Sequence, residues 1–344
     1  MGTSKNENFR DPCKTVIYGT FAALFFAILI TSCQPQTGST RQGGTLRMNI
    51  SDIPHVVFPG EVSKRSEQII ASQVYTGLVK YNPRTLEIVP SIASRFTISD
   101  DGLVYTFTLN SRARFQNDRC FVRGKGRTIV AADFKYSIEQ ICRNKITNGY
   151  EVSRQIANIV GFDEFLPSAV DCDTIGISGI EVPNDSIVII RLKKPDKLFI
   201  HYLAGTNAMV FAPEAYNAYG VNGTVGSGAF MMSYPKIKGQ PITLIANSGY
   251  WMQSRQGERL PLLDTLIFSF ITSTQKELYI FSKGMTNVVF DIPANCITDF
   301  LDQNIEEFQS DPPRFLMTNT VSDRNDKRFN LLTSDVRSEE RRVG

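Results

Sequence analysis

Apolar and polar residues alternate from Thr45 to Ile50, with Leu46, Met48 and Ile50 on one parity, which predicts a strand that Ser51-Asp52-Ile53-Pro54-His55 brings to an end. Between Lys64 and Leu78 the period lengthens. Ile69, Ile70, Gln73, Val74 and Leu78 fall along one largely apolar side of a helix. Asp100-Asp101-Gly102 has the composition of a tight turn, the glycine supplying a positive φ that other residues resist. Beyond it Tyr105, Phe107 and Leu109 share one face and Val104, Thr106 and Thr108 the other, the pattern of a half-buried antiparallel strand. Phe134, Ile138 and Ile141 are spaced as the core side of the next helix. Gly179-Ile180-Glu181-Val182 and the run from Ile187 to Leu192 flank Pro183-Asn184-Asp185-Ser186 and predict a hairpin. Phe199 to Leu203 begins a helix. Thr265 to Ile271 reads as a strand, Thr274 to Lys283 as a helix, and the apolar Val288 to Pro293 follows Gly284.

The amino terminus has a different texture. Lys5, Arg10 and Lys14 precede an apolar stretch from Thr15 to Ile30, the layout of an export signal. Ile30-Thr31-Ser32-Cys33 looks like a bacterial lipobox, so residues 1–33 are expected to be a lipoprotein signal peptide with Cys33 the lipidated residue. Residues 34–43 are then a polar tether. A retained membrane anchor, which needs about 20 apolar residues, stays open as the alternative. Both place the rest of the chain outside the inner membrane. No acidic residue follows Cys33 closely, so nothing fixes which membrane holds the anchor, and Asn6 stands where myristoylation of Gly2 would need Ser or Thr.

With 344 residues, 42% of them hydrophobic, the chain can bury at least one large core. A net charge of +3, spread along the chain, argues against a nucleic-acid partner. The six cysteines and two histidines lack metal-ligand spacing. In a compartment where disulfides persist, Cys120, ahead of a helix, and Cys142, near its end, are candidates for a bridge; two buried thiols are the alternative. Gly124-Lys125-Gly126-Arg127 lacks the glycine and hydroxyl of a phosphate loop, and Gly223, Gly226 and Gly228 lack dinucleotide spacing. No Gly-x-Ser-x-Gly elbow occurs, and Asp100-Asp101 is turn chemistry. No enzyme, cofactor or metal site is expected.

A series of short motifs follows a fixed order. Val89-Pro90-Ser91-Ile92-Ala93-Ser94-Arg95-Phe96 leads through Ser99-Asp100-Asp101-Gly102 and Tyr105 to Leu109. Arg114-Phe115-Gln116-Asn117-Asp118 comes next, then Ala131-Ala132-Asp133-Phe134-Lys135-Tyr136-Ser137-Ile138. Tyr75-Thr76-Gly77-Leu78 stands ahead of this block, and Phe211-Ala212-Pro213-Glu214-Ala215-Tyr216, Gly226-Ser227-Gly228-Ala229-Phe230 and Asn247-Ser248-Gly249-Tyr250-Trp251 stand after it. In this order they resemble the family 5 extracellular solute-binding proteins of ABC importers, the group that includes oligopeptide- and dipeptide-binding proteins. The chain departs from the family pattern in three places. Val130 replaces the capping Thr ahead of Ala131, at a cost of about 1 kcal/mol that Asp133 offsets through the helix dipole. The two later motifs each lack a proline, which removes a rigid φ.

The resemblance implies an α/β, two-lobed periplasmic-binding-protein-like fold of the class II type, with an extra inserted α+β domain. The first lobe would comprise residues 44–82 and 179–270, the inserted small domain 83–178, and the start of an incomplete second lobe 271–337. Residues 338–344 resemble translated adapter sequence, so a truncated gene product is expected. It further implies a monomer that captures short peptides between hinged lobes and delivers them to ABC permease and ATPase subunits, held to the membrane by lipid on Cys33. Candidate ligand-binding residues are Asp52 and His55 after the first strand and Gly228, Ala229 and Phe230 at the glycine bend. Asp52 as a turn former and His55 as a surface residue remain open readings. So do binding of glycan or cell-wall fragments without a transporter, a non-peptide solute such as a nickel complex or sugar, and an envelope enzyme.

Overall fold

The computed structural model describes residues 43–171, 175–233, 240–254, 256–320 and 328–333. The chain opens with β1 (Thr45–Ile50), α1 (Arg65–Val74) and the short strands β2 (Thr76–Gly77), β3 (Val79–Tyr81) and β4 (Ile88–Pro90). Strands β5 (Ala93–Ile98) and β6 (Val104–Leu109) precede helices α2 (Ala131–Thr147), α3 (Arg154–Ala157) and α4 (Phe162–Asp171). The hairpin β7 (Ile180–Asn184) and β8 (Ile187–Arg191) leads to α5 (Phe199–Leu203), β9 (Met209–Val210) and α6 (Pro213–Tyr219). Then come β10 (Phe230–Met232), β11 (Ile242–Ala246), β12 (Thr265–Phe270), α7 (Thr274–Ser282) and β13 (Val288–Pro293). Helices α8 (Ala294–Gln303) and α9 (Ile305–Gln309) and strands β14 (Phe315–Thr320) and β15 (Arg328–Thr333) complete the described part.

A seven-stranded sheet in the order β10-β11-β12-β1-β13-β15-β14 forms the frame. Its centre is parallel. β1 pairs with β12 from Thr45↔Thr265 to Ile50↔Phe270, and with β13 at Met48↔Val288. Because β12 and β13 flank β1, the connection through α7 must cross over it, as parallel neighbours require. Ser273 starts that helix, its hydroxyl accepting from the Lys276 N–H at 3.4 Å, and Leu278 and Phe281 are its buried side. Arg47 anchors the return strand: its N–H donates to Asn287 Oδ1 at 2.8 Å and its carbonyl accepts from the Asn287 N–H and the Thr286 hydroxyl. Where the sequence suggests that a second lobe opens at 271, the chain therefore returns to the sheet that carries β1.

The second frame is an antiparallel sheet in the order β5-β6-β8-β7. In β6 the buried residues are Tyr105, Phe107 and Leu109, the parity expected from the sequence. Hairpin β7-β8 closes this sheet, pairing Val188 with Phe107 and Ile190 with Tyr105, so sheet membership does not break at the expected boundary near 178. The reason is chemical: Val188 and Ile190 are fully buried and need an apolar face to cover, which β6 offers.

Helix α2 ties the two frames together. Phe134 and Ile138 pack into the cluster around Phe107, Phe165 and Phe199, while Ile141, one turn on, packs with Ile70, Phe211 and Phe268 against the large sheet. Its missing threonine cap is replaced by charge. The Asp133 carboxylate reaches back to the Val130 N–H at 2.8 Å and accepts two hydrogen bonds from Arg127, each 2.7 Å. Arg127 also grips Glu214 on α6, at 2.6 and 2.9 Å. The hydrogen bonds to Asp133 push the guanidinium well up, and those from Arg127 hold Glu214 below the usual carboxylate range.

The possible Cys120–Cys142 bridge is not formed, and both residues are free thiols, the other reading that the sequence left open. Cys120 sits in the loop whose ends bridge at Arg114 and Thr128, just ahead of α2. Cys142 lies eleven residues into that helix, about 16 Å along its axis from the end that this loop enters. Burial pushes the Cys142 thiol up to about 12, and burial followed by the hydrogen bond to Asp118 does the same for Cys120. Cys172 lies outside the described residues.

Two measurements test this account. Thiol labelling of denatured, non-reduced protein should modify Cys120, Cys142 and Cys296 alike, with Cys142 labelled in the native state only as fast as the core opens. Arg127→Ala leaves a carboxylate that is 3% exposed without its partner, and should lower stability by about 2–4 kcal/mol in denaturant unfolding, the solvent contact of Arg127 moderating the loss. Adding Val130→Thr to that variant should restore about 1 kcal/mol.

Candidate functional site

Parallel β1 and β12 end at the same edge of the sheet, while β13 lies on the far side of β1. Open sheets with such an arrangement carry a crevice outside the carboxyl ends of the strands, where the chain departs in two directions. A cleft of about 340 Å³ occupies that position. Asn49, Ile50 and Ser51 from the end of β1 line it, with Ile271 and Thr272 beyond β12. Arg65, Ser66 and Ile69 of α1 form one wall, and Thr274 and Glu277 of α7 another. A second cavity of about 430 Å³ adjoins it along α1, sharing Arg65 and Ile69 and reaching Thr206 and Asn207.

Asn49 holds the cleft floor together. Its side chain donates to the Ile271 carbonyl at 2.8 Å and accepts from the Ile271 N–H at 2.7 Å. The β1–β12 ladder thus extends one residue past Phe270 through a side chain. Glu277 is half-buried on the facing wall; burial pushes its carboxyl up, and the Asn49 amide pulls it back only in part.

Asp52 follows directly. Its carboxylate accepts from the Ser66 hydroxyl at 2.6 Å and the Ser51 hydroxyl at 3.2 Å, with Lys64 Nζ at 3.9 Å. It braces the first turn of α1 beside two cleft-lining serines. The His55 side chain is exposed, and its backbone N–H donates to Glu67 Oε1 at 3.2 Å. Glu67, only 2% exposed, organises the whole loop. Its other oxygen accepts from the Ser63 and Lys64 N–H groups at 3.0 and 3.1 Å. Burial by itself would raise this carboxyl, but the backbone N–H donors of Ser63, Lys64, His55 and Val56 outweigh it and hold the group below its ordinary value.

Gly228, Ala229 and Phe230 stand at the other end of α1, a helix of ten residues and so about 15 Å long. A Cβ at Gly226 would collide with the Val74 carbonyl oxygen, and one at Gly228 with that of Gln73. The glycines let this bend lie against the end of the helix, where the Gly228 N–H donates to Val74 O at 2.8 Å. Asn247 Nδ2 donates to Gly228 O at 2.9 Å, so the two proline-lacking motifs meet here. Phe230 is buried in the core of the large sheet. The structure thus puts Asp52 beside two cleft-lining serines, while neither His55 nor the glycine bend is among the residues that line the cleft. Asn49, Arg65, Ser66, Thr274 and Glu277 went unnoticed in the sequence. Asn49 sits on the polar parity of its strand, and Glu277 reads as an ordinary acid in the first turn of a helix.

Among the described residues no group of three or more His, Cys, Asp and Glu could hold a metal ion, and no helix is long and apolar enough to cross a membrane. Cys33 and the apolar stretch from 15 to 30 lie outside the described residues.

Residues 87–329 match the family model of bacterial extracellular solute-binding proteins, family 5 middle. The oligopeptide-binding protein OppA of Bacillus subtilis is 24% identical over 275 residues, 76% of this chain and 47% of its own. The glutathione-binding protein GsiB of Salmonella typhimurium is 24% identical over 245 residues, 68% of this chain and 40% of its own. Among solved structures, the periplasmic binding protein DppA from Helicobacter pylori, in complex with the peptide STSA, aligns with a TM-score of 0.64 and 19% identity, covering 82% of this chain and 51% of that one. The unliganded open form of the murein tripeptide binding protein MppA aligns with a TM-score of 0.62 and 18% identity, covering 83% and 51%. The α/β fold is therefore that of the periplasmic binding proteins, as the motif order implies. The chain spans about half the length, or less, of the relatives it matches.

The Glu67 network has a pH signature. A carboxyl depressed below 4.5 contributes stability that is complete above that pH and is lost as pH falls through the folded-state value. Glu67→Gln should cost about 2–3 kcal/mol at pH 7, because buried backbone N–H groups lose their acceptor. In urea unfolding across pH 7 to 3, the gap between wild type and variant should narrow below 4.5.

Proposed function

This chain belongs to the bacterial extracellular solute-binding proteins of family 5, and on that footing we propose that it captures short peptides for an ABC importer, binding them in the crevice at the carboxyl ends of β1 and β12. The position and lining of the crevice carry the reading. Its walls offer the hydroxyls of Ser51, Ser66 and Thr274, strand-end backbone groups and one acid, Glu277, around an apolar floor. A peptide's regular features are its backbone and its charged ends, which such groups meet directly or through water, while the neighbouring cavity of about 430 Å³ leaves room for side chains.

Relatives named for oligopeptides and for glutathione, and a structural neighbour holding the peptide STSA, support the same ligand class. In this reading two hinged lobes close over the peptide, and the closed form is handed to permease and ATPase subunits. Cys33 carries the lipid that tethers the protein outside the cytoplasmic membrane. Members of this family bind substrates for transporters and are not enzymes.

Isothermal calorimetry against a mixed library of di- to pentapeptides tests the reading. Saturable heat with peptides, and none with sugars, nickel complexes or muropeptides, is the expected result. Heat only with one of those other solutes overturns the peptide assignment.

A further inference from the structure

The loop from Arg114 to Thr128 lines neither cavity, and solute capture leaves it without a task. Its ends bridge at Arg114 and Thr128, and the Phe115 N–H donates to the Arg127 carbonyl at 3.0 Å. Five of its fifteen residues are cations, Arg114, Arg119, Arg123, Lys125 and Arg127, and one, Asp118, is an acid. Arg127 is matched by Asp133 and Glu214. The other four are exposed, and none of the ion pairs among the described residues includes them. Asp118 spends its carboxylate on the fold. Its Oδ1 accepts from the Tyr219 hydroxyl at 2.6 Å and the Cys120 N–H at 2.9 Å, and Arg119 donates to that same hydroxyl at 3.1 Å.

The apex of this loop is held from within. Phe115 and Phe121 are buried with their rings stacked at 5.9 Å. The Gly126 N–H donates to Asn117 Oδ1 at 3.1 Å, and a Cβ at Gly126 would collide with the Phe115 and Gln116 carbonyls. Between Phe121 and Gly126 the chain reverses through two positive φ values, Arg123 at 56° and Gly124 at 68°. The first is a conformation that residues with a side chain rarely adopt. The reversal leaves Val122 with 86% of its surface exposed, more than any other large apolar residue among the described ones, while Phe121 beside it is 5% exposed. An apolar side chain thus stands out among cations on a loop whose other large apolar residues are packed.

Cations alone would suit any polyanion. An exposed apolar residue set among them suits a surface whose anionic groups cover hydrocarbon, which is a bilayer. We propose that this loop docks on a bilayer containing anionic phospholipid, with Arg114, Arg119, Arg123 and Lys125 against the headgroup phosphates and Val122 entering between them. Each Lys or Arg near such a surface strengthens binding by about 5-fold, so four of them make a weak, reversible contact. Such a contact orients a body that is already held at the membrane, as lipid on Cys33 would hold this one. It does not depend on which solute the cleft takes.

The test uses the full chain reconstituted into vesicles of phosphatidylcholine with brominated acyl chains, which quench tryptophan, alone or with about 30 mol% phosphatidylglycerol to supply the charge. Val122→Trp puts a tryptophan at the apex, against a background of the single native Trp251, which is 9% exposed. The added fluorescence should be quenched in the anionic vesicles, spared in the neutral ones, and restored by high salt. Adding Arg123→Asn and Lys125→Gln, with asparagine chosen because it tolerates positive φ, should shift the loop about 25-fold toward its free state and remove most of the quenching. Equal quenching in both vesicle types, or none in either, overturns the proposal. A second readout needs no tryptophan. In the wild-type chain, acetylation of Lys125 by N-acetoxysuccinimide, followed by mass spectrometry, should slow about 5-fold in the anionic vesicles while exposed Lys283 is unaffected. Polyphosphate at equal phosphate concentration, protecting Lys125 as well as the vesicles do, overturns the bilayer in favour of a soluble polyanion.

Discussion

The pairing of β1 with β12 organises everything else in the molecule. These strands are 220 positions apart, and bringing them into register turns the long intervening segment into a closed excursion that must fold on either side of one ladder. The pairing sets the parallel direction of the sheet centre and forces α7 to cross over β1. It also brings two strand ends to the same edge, which is what makes a crevice there. Asn49 finishes the ladder by satisfying both backbone groups of Ile271 at the point where the strands part. The cleft floor is therefore as rigid as the sheet, and the groups mounted on it inherit that rigidity.

Two buried acids do similar local work by different means. Glu67 gathers backbone N–H groups from the loop that leaves β1, so the loop is held largely by a side chain in the first turn of α1. Asp133 replaces a threonine cap, and its charge is matched by Arg127, which in turn reaches Glu214 on another helix. A local cap has thus become a tertiary link. Each acid is buried where its full acceptor capacity is used, the condition under which a buried charge is tolerated.

The elements themselves were largely legible in the sequence, because periodicity reports directly on burial. The alternation in β6, the helical spacing of Phe134, Ile138 and Ile141, and the hairpin at Pro183 to Ser186 all appear where the pattern puts them. Partnership was less legible. Nothing local in Val188 or Ile190 says which sheet they cover, and nothing in Val288 to Pro293 says that the strand returns beside β1, since a pairing partner is a property of the whole topology. The glycine bend illustrates the same limit at the site. Gly226 and Gly228 carry a strong motif, but the demand that only glycine meets there is contact with the end of α1. The groups facing the cleft, Asn49 and Glu277, occupy positions where a polar residue needs no special explanation. Of the two readings left open for Cys120 and Cys142 the structure has the free thiols, a choice that spacing along the chain does not make.

The separation between β1 and β12 also bears on how the polypeptide reaches its folded form. Closing a loop of that length costs roughly 5 kcal/mol in chain entropy before the ladder can repay it, and parallel pairing of remote strands is intrinsically slow. Until residue 265 has emerged and found its partner, β1 has no neighbour on either side, because β13 lies later still. The central sheet is therefore the last frame to close, and the young chain spends longer extended than a protein built from neighbouring hairpins. In a family of extracellular proteins, a chain that closes its central sheet late stays threadable for longer.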